Sequence, residues 1–183
     1  MPKRPTAMLS TRAKPTSLRP APINYLAIDP GKQGGIAFLS GRGDVEAIPM
    51  PATESDVWAT IRMYAGYGNC FAMIEKVGGY QGPGSEAPGS SMFNFGWGYG
   101  GLRMALIGNG IPFDTPTPQA WQKALSIPPR KKQAKKYIET KTQWKNRLKG
   151  IAQRLFPHLT VTLATADALL ILEYCRRKQE GRL

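Results

Sequence analysis

Cys70-Phe71-Ala72-Met73-Ile74 is an unbroken apolar run that stops at Glu75. A short run apolar at every position is the pattern of a strand buried on both faces. Such a strand needs cover above and below, which sets the frame for reading the rest of the chain. The segment from Asn24 to Asp29 is a second β-like run, and Pro30-Gly31-Lys32-Gln33-Gly34-Gly35 makes a turn after it. Ile36–Leu39 and Val45–Ile48 read as two further strands joined by the Gly41-Arg42-Gly43-Asp44 turn. Three short strands in hairpin succession predict an antiparallel meander.

Helices are expected between and after the later strands. Thr53 with Asp56 three residues on reads as an N-cap, opening a helix to about Ala65. Nine of the 24 residues from 78 to 101 are glycine, interleaved with Tyr80, Phe93, Phe95, Trp97 and Tyr99. The part through Ser91 reads as a flexible loop. Leu102, Ala105 and Leu106 support a helix that Gly110 ends, and Ile111-Pro112-Phe113 begins a fifth strand. Thr117-Pro118 is a helix start. A helix near Thr142 carries Leu148, Ile151, Ala152 and Leu155 on one side, and a last helix runs from about Thr165 to Gln179 and frays into Arg176-Arg177-Lys178. The order β-β-β-α-β-α-β-α-α-α specifies a mixed α/β domain with three antiparallel strands and two parallel ones.

At 183 residues the chain has room for one such domain with a tail. Residues 1–22 hold five Lys or Arg, five Pro and no acid, and read as a disordered basic arm; 23–183 form the domain. No stretch approaches the ~18 apolar residues of a membrane span. Cys70 and Cys175 read as buried thiols in a reduced compartment, and one histidine, His158, with two cysteines argues against structural zinc. The chain carries 25 Lys and Arg against 12 Asp and Glu, a formal charge of +13. That excess favours a polyanionic partner.

Most of the twelve acids stand where a solvated carboxylate is ordinary. Three do not. Asp29 closes Tyr25-Leu26-Ala27-Ile28, Glu75 closes the run to Ile74, and Asp167 opens Ala168-Leu169-Leu170-Ile171-Leu172. A carboxylate flush against a buried segment loses solvation and needs a cation, a metal or a hydrogen-bond donor. Strands one and four can be neighbours with the last helix packed across the same end, which would bring the three together.

These segments resemble a known family. Ala27-Ile28-Asp29-Pro30-Gly31 with Gly34-Gly35-Ile36-Ala37 is similar to the first motif of the RuvC-type Holliday-junction resolvases. Met73-Ile74-Glu75-Lys76-Val77 resembles the second motif and Ala166-Asp167-Ala168-Leu169-Leu170-Ile171 the last. Phe95-Gly96-Trp97-Gly98-Tyr99-Gly100 and the Pro118–Trp121 stretch look like the chloroplast branch and its bacterial or phage relatives. The resemblance spans residues 24–175. It implies a ribonuclease-H-like fold, a homodimer, and Mg²⁺-dependent paired nicking of four-way DNA junctions, with Mn²⁺ as a substitute. It also implies that Asp29, Glu75 and Asp167 are the catalytic, metal-binding carboxylates. The setting is then cytoplasmic, in a bacterial or phage-infected cell ahead of an organelle. Two positions depart from the pattern. Ala164 stands where bacterial members place a fourth acid, with Thr165 the nearest oxygen-bearing neighbour. Gly78 stands where they place an aromatic, with Tyr80 or the Phe93–Tyr99 cluster as substitutes.

Phosphodiester hydrolysis suits two divalent ions about 3.5–4 Å apart, held by hard oxygen donors. Residues 130–149 hold nine Lys or Arg against Glu139 alone, and Lys131, Lys132, Lys135, Lys136, Lys141 and Lys145 are the expected phosphate contacts. Lys145 and Lys141 are the candidates beside the scissile phosphate. Tyr80 and Gln81, following Glu75, are placed to meet the junction centre. Two other readings account for part of the same sequence. One is a binding module for branched DNA. The other is a ribonuclease-H-fold nuclease with a different substrate.

Overall fold

The computed structural model describes residues 22–78, 89–130 and 138–183. The basic arm, but for Pro22, lies outside them, as do Tyr80, Gln81, Lys131, Lys132, Lys135 and Lys136. Five strands form one sheet: β1 (Asn24–Asp29), β2 (Gly35–Leu39), β3 (Val45–Pro49), β4 (Cys70–Ile74) and β5 (Phe113–Asp114). Their spatial order is β3-β2-β1-β4-β5. β1–β2 and β2–β3 are antiparallel, whereas β1–β4 and β4–β5 are parallel. The helices are α1 (Glu54–Ala65), α2 (Gly89–Gly108), α3 (Pro118–Ala124), α4 (Lys141–Leu155) and α5 (Ala166–Gln179).

Successive side chains of a strand point to opposite faces, and here both faces are covered. Tyr25 and Ala27 of β1 and Met73 of β4 pack under α5 with Trp121, Leu148, Ala152 and Phe156. Leu26, Ile28, Ala72 and Ile74 face the other way, onto Ile61 and Tyr64 of α1 and Leu102, Ala105 and Leu106 of α2. The apolar run in β4 thus serves two cores. Helix α5 lies across the middle of the sheet and is buried all round from Ala166 to Cys175, and Ala27 and Ala37 leave it room. No helix among the described residues is long and apolar enough to cross a membrane.

The caps read from sequence form as expected. Thr53 accepts from the Asp56 backbone N–H at 3.1 Å, and Thr117 accepts from that of Ala120 at 3.2 Å. Two boundaries differ. Helix α2 already begins at Gly89, inside the stretch expected to be loop through Ser91. A helical glycine costs about 1 kcal/mol, but packing overrides it: Phe95 lies over Gly31, and the Trp97 indole donates to Glu54. Helix α5 does not fray at Arg176-Arg177-Lys178, because Arg176 and Arg177 both grip Glu173, and Lys178 reaches Asp114 at 2.9 Å.

Candidate active site

Register alone sets two of the carboxylates side by side. β1 and β4 run parallel with Ile28 opposite Ile74, and the Glu75 N–H donates to the Ile28 carbonyl at 3.0 Å. Asp29 and Glu75 therefore follow as neighbours at the carboxyl ends of adjacent strands. Both continue the face of Ala27 and Met73, the face that α5 covers. Asp167 enters from the first turn of α5, where the helix dipole favours a carboxylate.

Glycines make this approach possible. A Cβ on Gly34 would lie 2.0 Å from the Asp29 carbonyl oxygen. One on Gly35, directly across from Asp29, would lie 2.7 Å from the Ala164 carbonyl oxygen. Gly34 lets the chain turn back tightly on Asp29, and without a side chain at Gly35 the turn leading into α5 settles onto the sheet end.

The three carboxylates share one electrostatic neighbourhood. Burial first, then Asp167 and Glu75, push the Asp29 carboxyl up from 3.8 to about 7, against the pull of Lys145. Glu75 rises from 4.5 to about 7, again chiefly by burial. The Trp121 indole N–H, 2.7 Å from Glu75 Oε2, and Lys145 oppose that rise. Lys145 reaches in from α4, with Nζ 2.5 Å from Asp167 Oδ2. Burial lowers its affinity for a proton, but Asp167, Asp29 and Glu75 more than offset this, and its pKa lies above 10.5.

One ammonium does not balance three carboxylates. Asp167 Oδ1 is buried with no hydrogen-bond partner. Among the described residues no three acid, histidine or cysteine side chains form a ready-made cage for an ion. The donors are nonetheless all hard oxygens, one of them is a buried orphan, and positive charge is short. That chemistry suits a divalent cation such as Mg²⁺.

The other candidates fall as follows. Lys145 joins the carboxylates, while Lys141 is exposed in the first turn of α4. Thr165 is buried, and its hydroxyl accepts from the Thr162 N–H at 3.0 Å and pairs with the Thr162 hydroxyl at 3.1 Å. It is thus engaged locally, beside Ala164. Gly78, Phe93 and Trp97 are exposed, and His158 lies at the surface. Trp121 was not singled out chemically in the sequence. Its stretch stood out only through the family resemblance, since nothing in a linear pattern pairs an indole with a carboxylate 46 positions away.

No protein-family model and no curated protein matches the chain. Among solved structures, Thermus thermophilus RuvC in complex with a Holliday junction substrate is similar. The TM-score is 0.57 at 14% identity, covering 87% of this chain and 97% of that one. Thermus thermophilus RuvC alone gives a TM-score of 0.54 at 16% identity, with the same coverages. The chain has the RuvC fold. The ribonuclease-H-like sheet read from the sequence, three antiparallel strands extended by two parallel ones, is the observed one. In this RuvC-like frame Asp29, Glu75 and Asp167 stand together at one end of the sheet.

Proposed function

We propose that the chain is a metal-dependent, structure-selective endonuclease that resolves four-way DNA junctions by paired symmetric nicks. It acts as a homodimer in recombination and repair. The observation that carries this reading is the meeting of Asp29, Glu75 and Asp167 with Lys145 on a RuvC-like sheet. Core packing has no use for three acids gathered at one covered end of the sheet, whereas a cation-dependent hydrolase does. Residues 23–183 are the nuclease domain, with 1–22 as a basic arm against phosphates.

Bound divalent ions, Mg²⁺ with Mn²⁺ as a substitute and two per site, supply the Lewis acidity that hydrolysis needs near neutral pH. Asp29, Glu75 and Asp167 hold them. Lys145 moves from Asp167 to the scissile phosphate and offsets its charge. Lys141 and the lysines at 131, 132, 135 and 136 track the backbone, and Tyr80 with Gln81 meets the junction centre, where bases unstack. A second reading, branched-DNA binding without cleavage, is favoured by Lys145 on Asp167 and by Ala164 in place of a fourth acid.

Cleavage of an end-labelled four-way junction, beside three-way, flap and linear duplexes, separates these. Wild type with Mg²⁺ is expected to give paired symmetric nicks in the four-way junction and little cutting of linear duplex. Asp29→Asn is expected to bind the junction and to lose at least about 100-fold in rate, as for loss of a principal electrostatic group. Binding without nicking by wild type in Mg²⁺ or Mn²⁺ selects the second reading. Undiminished cutting by Asp29→Asn rejects the site.

A further inference from the structure

We propose that Trp121 is a positioning residue of the carboxylate cluster: its indole N–H fixes one oxygen of Glu75 and thereby presents the other to a bound divalent cation. This rests on the nuclease reading above and adds to it a residue outside the carboxylate set.

Trp121 is 1% exposed, and its Nε1 lies 2.7 Å from Glu75 Oε2. A buried indole N–H needs some acceptor, but packing alone would be as well served by a backbone carbonyl. Here the acceptor is one of the three clustered acids. An indole N–H only donates, so it holds Oε2 and leaves Oε1 for a ligand. It is also neutral. Unlike the Lys145 ammonium, it orients a carboxylate without adding a charge that would compete with a metal ion.

The geometry is braced from both sides. The Lys76 N–H donates to the Pro116 carbonyl at 2.8 Å, tying the chain just past Glu75 to the residues that lead into α3. Thr117 caps α3 with Pro118 in its first turn, and the Trp121 ring is seated in the core beneath α5. Indole and carboxylate are therefore carried by two backbone segments bonded to each other one residue from Glu75. Partners that orient a ligand in this way typically contribute 10–100-fold to metal affinity.

The test measures Mn²⁺ binding by the full chain without DNA, through the electron paramagnetic resonance of free Mn²⁺. Junction affinity is measured in EDTA alongside. Trp121→Phe keeps an aromatic ring and removes the N–H. β-(3-Benzothienyl)alanine placed at position 121 keeps the full bicyclic shape with sulfur where the N–H was, and it decides the matter if the Phe variant does not fold. Both are expected to weaken Mn²⁺ binding about 10-fold or more with junction affinity in EDTA unchanged. In a Glu75→Ala background neither is expected to weaken it further. Wild-type Mn²⁺ affinity in both variants, or an equal further loss in the Glu75→Ala background, would overturn the role of Trp121. Wild type that neither binds Mn²⁺ nor nicks a junction would instead overturn the nuclease reading itself.

Discussion

Asp29 sits beside Asp167 and Glu75 at the covered end of the sheet, and its carboxyl is lifted to about 7. Glu75 is lifted to the same region. Both groups bind protons more tightly folded than unfolded, so between about pH 4 and pH 7 the folded state carries more protons. Stability of the metal-free protein therefore falls as pH rises through that interval. Each pKa unit corresponds to about 1.4 kcal/mol, and solvent screening leaves on the order of 1–3 kcal/mol for Asp29. Asp29→Asn removes this term. Its metal-free melting temperature should match wild type near pH 4.5 and exceed it by several degrees at pH 8, read by circular dichroism in EDTA. A pH-independent difference would reject the argument. The acids responsible were legible because each abuts an apolar run. Glu139 and Glu173 were not, although both are buried. Glu173 is gripped by Arg176 and Arg177 and Glu139 by Arg147, and pairing of that kind follows from tertiary packing.

Elements were legible where a cap or an apolar period marked them, and blurred where glycine did. Helix α2 shows why. Its sequence lacks helix propensity at Gly96, Gly98, Gly100 and Gly101, and contacts from Phe95 and the buried Leu102, Ala105 and Leu106 impose the helix. A Cβ at Gly98 or Gly101 would meet nothing within 4 Å, so alanine there gains propensity at no steric cost. Gly101→Ala should stabilise the protein by about 0.5–1 kcal/mol, raising the midpoint of urea unfolding with an unchanged slope. Gly34→Ala is the contrast. Its Cβ would lie 2.0 Å from the Asp29 carbonyl oxygen, and the strand end bearing Asp29 must shift. That variant should lose both stability and nicking. Equal midpoints for Gly101→Ala and Gly34→Ala would show that the close approach at Asp29 does not matter. Gly34 and Gly35 sit within the first motif, where they read as a turn. The second role of Gly35, admitting the turn before α5, depends on a contact between residues 35 and 164.

Across the whole molecule, the charge of +13 is not one uniform coat. The C-terminal stretch holds Arg176, Arg177, Lys178 and Arg182. In the fold Arg176 and Arg177 are spent on Glu173, Lys178 on Asp114, and Arg182 on Glu180. Arg147 likewise closes on Glu139 at 2.8 Å, and it stacks over Trp144. Lys141 differs. It is exposed, it stands four residues before Lys145 on α4 and hence on the same side of the helix, and it occupies the first helical turn. A cation there opposes the helix dipole at a cost of about 0.3–1 kcal/mol, so helix stability is not what it serves. A phosphate passing Lys145 would meet it next. Each phosphate contact contributes about 0.9 to the slope of log affinity against log salt. Lys141→Ala should therefore weaken four-way-junction binding in EDTA and flatten that slope by roughly 0.9. Arg177→Ala, which removes a cation already paired with Glu173 beside Arg176, should leave the slope unchanged. Fluorescence anisotropy across a salt series reads both. A slope lowered equally by the two variants would mean that the junction sees the net charge of the protein and not the face that carries Lys141 and Lys145.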